Sequence, residues 1–287
     1  MQNHGRLALD GVSVGGVATS LDIAEFKVCI DLGRLLESAV SRSTILLTHG
    51  HADHVGALAQ HAAQRGLRRL PPASYAAPAA MMEPLGDLMN TWRSMDRGAF
   101  EVDLKPVAEG DEVLIGRDVV GRAFETDHRV PAVGYVIEQR RLKLKEHFRG
   151  LAAAELARLR AAGNELDAET RKPVLAVTGD TRIEGILGRS DVLSSPVLVL
   201  ECTFLDDRVD ARAASERGHV HIDDIARNYS AFECEQLVLY HVSPRHSTAE
   251  ARDLVRQRLP SALAERTTVF PNRLSGGRLE LGAQGTP

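Results

Sequence analysis

Aromatic residues make up only 4% of this 287-residue chain, so an aliphatic interior is expected. Cysteine is scarcer still. Cys29, Cys202 and Cys234 show no C-x-x-C spacing, which argues against a disulfide framework and reads as buried thiols in a reducing compartment. No apolar run approaches the roughly 20 residues of a membrane span. The opening MQNHGRLALDG lacks the charged-then-apolar layout of a signal peptide. The expectation is a cytoplasmic protein. Nor is there an excess of basic residues: 35 Lys and Arg against 39 Asp and Glu leave a formal charge of −4. That argues against whole-surface attraction to nucleic acid and leaves room for a local basic patch. Hydrophobic residues at 44% and charged residues at 26% are ordinary for a globular protein, and the length suits one α/β domain.

Short apolar runs punctuated by Gly predict strands near 7–9, 20–23, 28–31 and 45–47. Val55, Leu58, Ala59 and Ala62 recur at helical spacing and predict a helix from about Asp53. A second helix is predicted over 78–97, opened by Pro78. Strands are predicted at 100–107, 112–115, 118–125 and 133–138, then at 174–178, 197–201 and 237–241. Helices are predicted at 222–232 and 249–259. Residues 139–172, with basic QRRLKLKEHFR and helical LAAAELARLRAAG stopped by Gly163, read as an insertion between two strands. The tail after about 275 reads as frayed. Clustered strands with helices between them suggest two mixed sheets packed face to face under outer helices, although periodicity alone leaves several α/β layouts open.

The densest chemistry lies in Thr48-His49-Gly50-His51-Ala52-Asp53-His54, with four ligand-type side chains in six positions. Side chains alternate along an extended segment, so His49 and His51 can point the same way. Asp53 and His54 would then project from the first turn of the following helix. Such a strand end, loop and helix start can aim two imidazoles at one metal and a carboxylate plus an imidazole at its neighbour. This mixed nitrogen and oxygen set suits zinc or manganese.

HxHxDH after a short apolar strand resembles the signature of the metallo-β-lactamase superfamily, whose fold is a four-layer αββα sandwich. His128 in FETDHRVPAVGY, Asp180 in VTGDTR and His241 in LVLYHVSPRH follow in the expected order. The resemblance implies that His49, His51 and His128 bind one Zn²⁺, that Asp53, His54 and His241 bind a second, and that Asp180 bridges them. Within the superfamily the chain resembles tRNase Z, which trims 3′ trailers from precursor tRNA. The stretches DHRVPAVGYVIE, VTGDTR, LECTFLDD, ERGHVHIDDI and YHVSPRH carry that resemblance, which runs from about Leu7 to Pro260. It implies a catalytic Asp53 and a Glu201 that orients His219 for proton donation to the leaving ribose oxygen. It also implies a homodimer in which one subunit grips the tRNA that the other cuts. His221, two residues on, can take the role of His219, although His219 follows the family's Gly. Arg245 reads either as a phosphate contact or as a structural ion pair.

The chain departs from the family in two places. His246 ends YHVSPRH where Tyr is usual. The gap between His128 and Asp180 is too short for the long arm of many members and resembles the short-arm forms of plants. Arg140, Arg141, Lys143, Lys145 and Arg149 there read equally as a reduced tRNA-gripping arm or as a solvated helix face. Two other functions keep the same residues: hydrolysis of small or cyclic phosphodiesters, and metal binding without catalysis.

Overall fold

In the computed structural model, which describes residues 7–97 and 100–281, the strands pair into two seven-stranded sheets. The first half of the chain supplies β1 (Leu7–Val14), β2 (Ala18–Ile23), β3 (Val28–Ile30), β4 (Thr44–Leu46), α1 (Ala52–Val55), α2 (Leu58–Leu67), β5 (Ser74–Pro78), α3 (Met82–Asp96) and β6 (Asp103–Val107). Then come β7 (Glu112–Gly116), β8 (Val119–Glu125), β9 (Val133–Leu144), α4 (Ala153–Ala161), β10 (Asp167–Val177), α5 (Glu184–Leu187), α6 (Ser190–Leu193) and β11 (Val197–Glu201). The chain closes with α7 (Ala211–Glu216), α8 (Ile222–Arg227), β12 (Gln236–Tyr240), α9 (Thr248–Arg258), α10 (Ser261–Ala264), β13 (Thr267–Val269) and β14 (Gly277–Leu281).

One sheet runs β14-β1-β2-β3-β4-β5-β6 and the other β13-β12-β11-β10-β9-β8-β7. Each mixes antiparallel hairpins with parallel strands that need crossover connections. Three apolar clusters define the layers. Leu9, Leu21, Ile30 and Leu46 of one sheet meet Tyr135, Leu175, Val199 and Val238 of the other in the central core. The outer face of the first sheet packs Ile45, Leu47 and Tyr75 against Leu58, Ala62, Leu85 and Met89 of α2 and α3. That of the second packs Leu198, Leu200 and Leu239 against Ile186, Ile225 and Val255 of α5, α8 and α9. This is the αββα sandwich, and its filling is aliphatic, as the scarcity of aromatics requires. Cys29, Cys202 and Cys234 are free and buried. No helix among the described residues is long and apolar enough to cross a membrane.

Four local expectations are corrected. Pro78 ends a strand, β5, and the helix begins only at Met82 after a turn of 3₁₀ helix. The helix expected from Asp53 starts one residue earlier and is split in two at 56–57. The helix expected over 222–232 ends at Arg227, followed by a short 3₁₀ turn. Residues 277–281, expected to fray, pair as β14 along β1; residues 282–287 lie outside the described residues.

The basic segment is part of the sheet. Antiparallel pairing of β9 with β10 continues from Tyr135↔Val177 to Leu144↔Asp167, and α4 lies between the two strands in sequence. The expected insertion is therefore a ribbon continuous with two core strands.

Candidate metal centre

The site forms where strands of both sheets end. The loop after β4 delivers His49 and His51, and α1 delivers Asp53 and His54. His128 lies between β8 and β9. Asp180 follows β10, Glu201 ends β11, and His241 follows β12. Close backbone approaches hold these pieces together. A side chain at Gly33 would strike the Asp53 carbonyl oxygen at 1.7 Å, and at this approach Leu32 N–H donates to His54 O at 2.6 Å. Gly179 lies in the left-handed region (φ 64°), and a Cβ there would come within 2.7 Å of Thr48. Two non-glycine residues, Asp31 (φ 59°) and His241 (φ 57°), adopt the same sparsely populated conformation at the site.

All seven expected ligand side chains converge. His49, His51, His128 and Asp180 form one cluster of donor atoms within 4.8 Å of one another, and Asp53, His54 and His241 form a second. In the first, His49 Nε2 and His51 Nδ1 are 3.0 Å apart, and His51 Nδ1 and His128 Nε2 are 3.3 Å apart. In the second, His241 Nε2 is 3.3 Å from both Asp53 Oδ2 and His54 Nε2. Asp180 Oδ2 lies between the clusters, 3.6 Å from His49 Nε2, 3.5 Å from His54 Nε2 and 3.4 Å from His241 Nε2. Nitrogen ligands held tetrahedrally at zinc distances stand about 3.3–3.4 Å apart, so these spacings fit. A further observation supports cation binding: Asp180 Oδ1 is buried with no hydrogen-bond partner, a cost that a cation removes.

The electrostatics agree. Burial lowers His49 to about 2, and burial also lowers His51 and His128, so all three rings stay neutral with lone pairs available. Burial opposes charge on His54, yet Asp180 and Asp31 push it well above its ordinary value. Positive charge is thus favoured at that point of the pocket. Burial likewise opposes ionisation of Asp180, and the imidazoles of His241 and His54 hold its carboxyl well below the usual range. At Asp53 burial is again outweighed, by the hydrogen bond from His241 and the charge of His54, and the carboxyl falls to about 2.

Glu201 is fully buried. Its Oε1 accepts from Thr181 N–H (3.2 Å), Val220 N–H (3.1 Å) and His219 Nδ1–H (3.0 Å). Burial opposes protonation of His219, but Glu201 raises it above its ordinary value. His219 also lies 3.9 Å from Asp180. The alternative, His221, is engaged elsewhere: its Nδ1 accepts from Asp223 N–H at the start of α8, and its Nε2 faces Asp206 O at 3.2 Å. His246 is buried, 3.6 Å from Asp206. A cleft of about 290 Å³ opens over the centre, lined by Gly15, Gly16, Asp53, His219 and the exposed Arg245 among others.

Arg140, Arg141, Lys143 and Lys145 are not brought to this cleft; they lie along the ribbon. Arg140 pairs with Glu169 and Lys145 with Glu165, each at 3.5 Å. Arg141 and Lys143 are exposed two positions apart, hence on one face, and among the described residues neither has a recorded ion pair.

Asp31 was not singled out from the sequence. Fully buried, it accepts from Thr48 N–H (2.8 Å), the Thr48 hydroxyl (2.9 Å) and His54 Nδ1–H (2.7 Å). A lone Asp at the end of a predicted strand gives no signal of this.

The family model of the metallo-beta-lactamase superfamily matches residues 42–143. A tRNase Z of Arabidopsis thaliana is 33% identical over 249 residues, 86% of this chain and 89% of that one. A chloroplastic tRNase Z of the same plant is 34% identical over 250 residues, 86% and 71%. Among solved structures, a metallo-β-lactamase-fold protein from Bacillus subtilis superposes with a TM-score of 0.64 at 12% identity, covering 96% of this chain and all of that one.

Proposed function

The chain belongs to the tRNase Z family of the metallo-β-lactamase superfamily, and from that premise we propose that it is a metal-dependent endoribonuclease removing 3′ trailers from precursor tRNA. The observation that carries this reading is one pocket holding two donor clusters joined by Asp180, with a Glu201–His219 pair at its edge. We assign two Zn²⁺ per chain, with Mn²⁺ able to substitute, to His49, His51 and His128 on one side, Asp53, His54 and His241 on the other, and Asp180 between. Bound cations supply Lewis acidity, neutralising phosphoryl charge and making water a nucleophile at neutral pH.

The protein's own groups do the rest. Asp53 faces the cleft beside His241 and orients the attacking water. Glu201 Oε1 holds the Nδ1 proton of His219, so Nε2 is the nitrogen that gives its proton to the leaving ribose oxygen. The tRNA body departs with a 3′-hydroxyl. Arg245, exposed on the cleft rim, is assigned a phosphate contact, which its position supports. The reading includes one domain, a cytoplasmic location, which the three buried free thiols support, and a homodimer. Leu88, Trp92 and Met95 support the dimer, since they form an exposed apolar stripe on α3 at i, i+4 and i+7.

Purified protein is expected to cut a folded precursor tRNA at its 3′ side and leave a 3′-hydroxyl. A chelator should abolish cutting, and added Zn²⁺ or Mn²⁺ should restore it. Cleavage of a small phosphodiester with an intact precursor tRNA sinks the assignment.

For the ribbon we propose tRNA gripping, chiefly by Arg141 and Lys143. Replacing Arg140, Arg141, Lys143 and Lys145 with Gln should weaken tRNA affinity. Because each lost phosphate contact removes roughly 0.7–0.9 from the slope of log affinity against log salt, the salt dependence should flatten by up to about 3.6. Cleavage of a small phosphodiester should be unaffected; equal loss on both substrates would make the segment structural.

A further inference from the structure

Two threonine hydroxyls sit between a buried carboxylate and a histidine ring of the metal centre. Thr203 Oγ1 is 3.0 Å from Glu201 Oε2 and 2.9 Å from His241 Nδ1. Thr48 Oγ1 is 2.9 Å from Asp31 Oδ2 and 3.0 Å from His49 Nδ1. A hydroxyl has one hydrogen. Glu201 already accepts backbone N–H groups at both oxygens, two at Oε1 and that of Thr203 at Oε2 (3.1 Å). The Thr203 hydrogen therefore goes to Oε2, and its oxygen is left to accept from His241 Nδ1–H. The longer 3.4 Å approach to His219 Nδ1 does not compete, because that ring's proton is directed to Glu201 Oε1 at 3.0 Å. At Thr48 the same count applies, with Asp31 accepting the hydroxyl as well as the Thr48 N–H.

We propose that Thr48 and Thr203 are positioning residues that fix His49 and His241 as their Nδ1–H tautomers, presenting Nε2 to the donor clusters. Each carboxylate then orients two rings, one directly and one through a hydroxyl: Asp31 holds His54 and His49, and Glu201 holds His219 and His241. His128 reaches the same tautomer another way, by donating Nδ1–H to Gly218 O at 2.8 Å. His241 shows why a side-chain restraint is useful. Its backbone is already fixed, with its N–H on Ser13 Oγ at 2.8 Å and Gly15 against its carbonyl, and only rotation of the ring remains to be set.

This inference rests on the reading of His49 and His241 as metal ligands, and its test separates the two. Zn²⁺ affinity is measured by competition with a chromogenic chelator for the full chain and for Thr48→Val, Thr48→Ser, Thr203→Val and Thr203→Ser. Loss of an outer partner of a ligating histidine costs about 10–100-fold in affinity, so each Val variant should fall by that factor and each Ser variant should return to within a few-fold of the parent. In ¹⁵N-histidine spectra of the Zn²⁺-loaded parent, both rings should carry their proton on Nδ1. Val variants that bind as tightly as the parent overturn the inference alone, as does a proton on Nε2 of His241 in the parent, which needs no variant to fold. A parent chain that binds no Zn²⁺ overturns the metal-centre reading and this inference with it.

Discussion

Asp53→Ala is expected to lower the single-turnover rate of precursor-tRNA cleavage by about 10³-fold or more, equivalent to roughly 4 kcal/mol of lost transition-state stabilisation. The carboxylate has two attachments to the centre, His241 Nε2 at 3.3 Å and His54 Nε2 at 3.5 Å, and it lines the cleft. Its removal leaves His54 and His241 with only the shared Asp180 carboxylate, and takes from the cleft the group assigned to orient water. The fold should survive, because Asp53 is only half-buried and the backbone approaches of this loop run through Gly33, Leu32 and the His54 carbonyl. Total metal content should fall, and thermal unfolding of the chelated protein should be unchanged. Turnover near that of the parent contradicts the assignment of Asp53.

His219→Ala should give the other signature. Removing a general acid costs about 10²–10⁴-fold, so turnover should drop by that much while both cations stay bound. Glu201 keeps its hydrogen bonds from Thr181, Val220 and Thr203, which holds β11 and the loops around it in place. The comparison separates this role from that of a ligand, since Asp180, His219 and His241 also lie close enough together to share a metal. Loss of a cation from His219→Ala makes the residue a ligand. A second check uses the leaving group: a small phosphodiester with a good leaving group needs no proton there, so its hydrolysis should suffer far less than that of tRNA.

Much of the centre was legible in the chain because its densest part is local. His49, His51, Asp53 and His54 fall within six positions, and a strand followed by a helix is the only context that the flanking apolar residues allow. His128, Asp180 and His241 were readable through the stretches around them. The residues that hold these side chains were not. Asp31 is 17 positions from Thr48 and 23 from His54, Glu201 is 18 from His219, and Thr203 is 38 from His241. Single residues that meet only through the tertiary fold leave no periodicity; Glu201 was reached by resemblance, Thr203 only as a member of the LECTFLDD stretch without a role, and Asp31 not at all. Among the elements, β5 was missed because Ser-Tyr-Ala-Ala-Pro has few branched residues and its proline suggests a helix start; the parallel neighbours β4 and β6 impose the strand. β14 was missed because a Gly-flanked, half-polar strand at a sheet edge looks like a tail until β1 is seen beside it.

The continuity of β9 and β10 makes the ribbon a spacer as well as the proposed grip. The twelve residues of β9 extend about 36 Å at about 3.3 Å per residue, and the chain passes His128 just before the strand begins. Its antiparallel partner β10 returns to that same end, where Asp180 follows it. Arg141 and Lys143 are therefore carried away from the centre on a paired two-stranded ladder, which has a register shift between Pro173 and Leu175. Under the proposed reading of the ribbon as a grip, its reach becomes a property of strand length, and an RNA too small to span from ribbon to cleft gains nothing from being held.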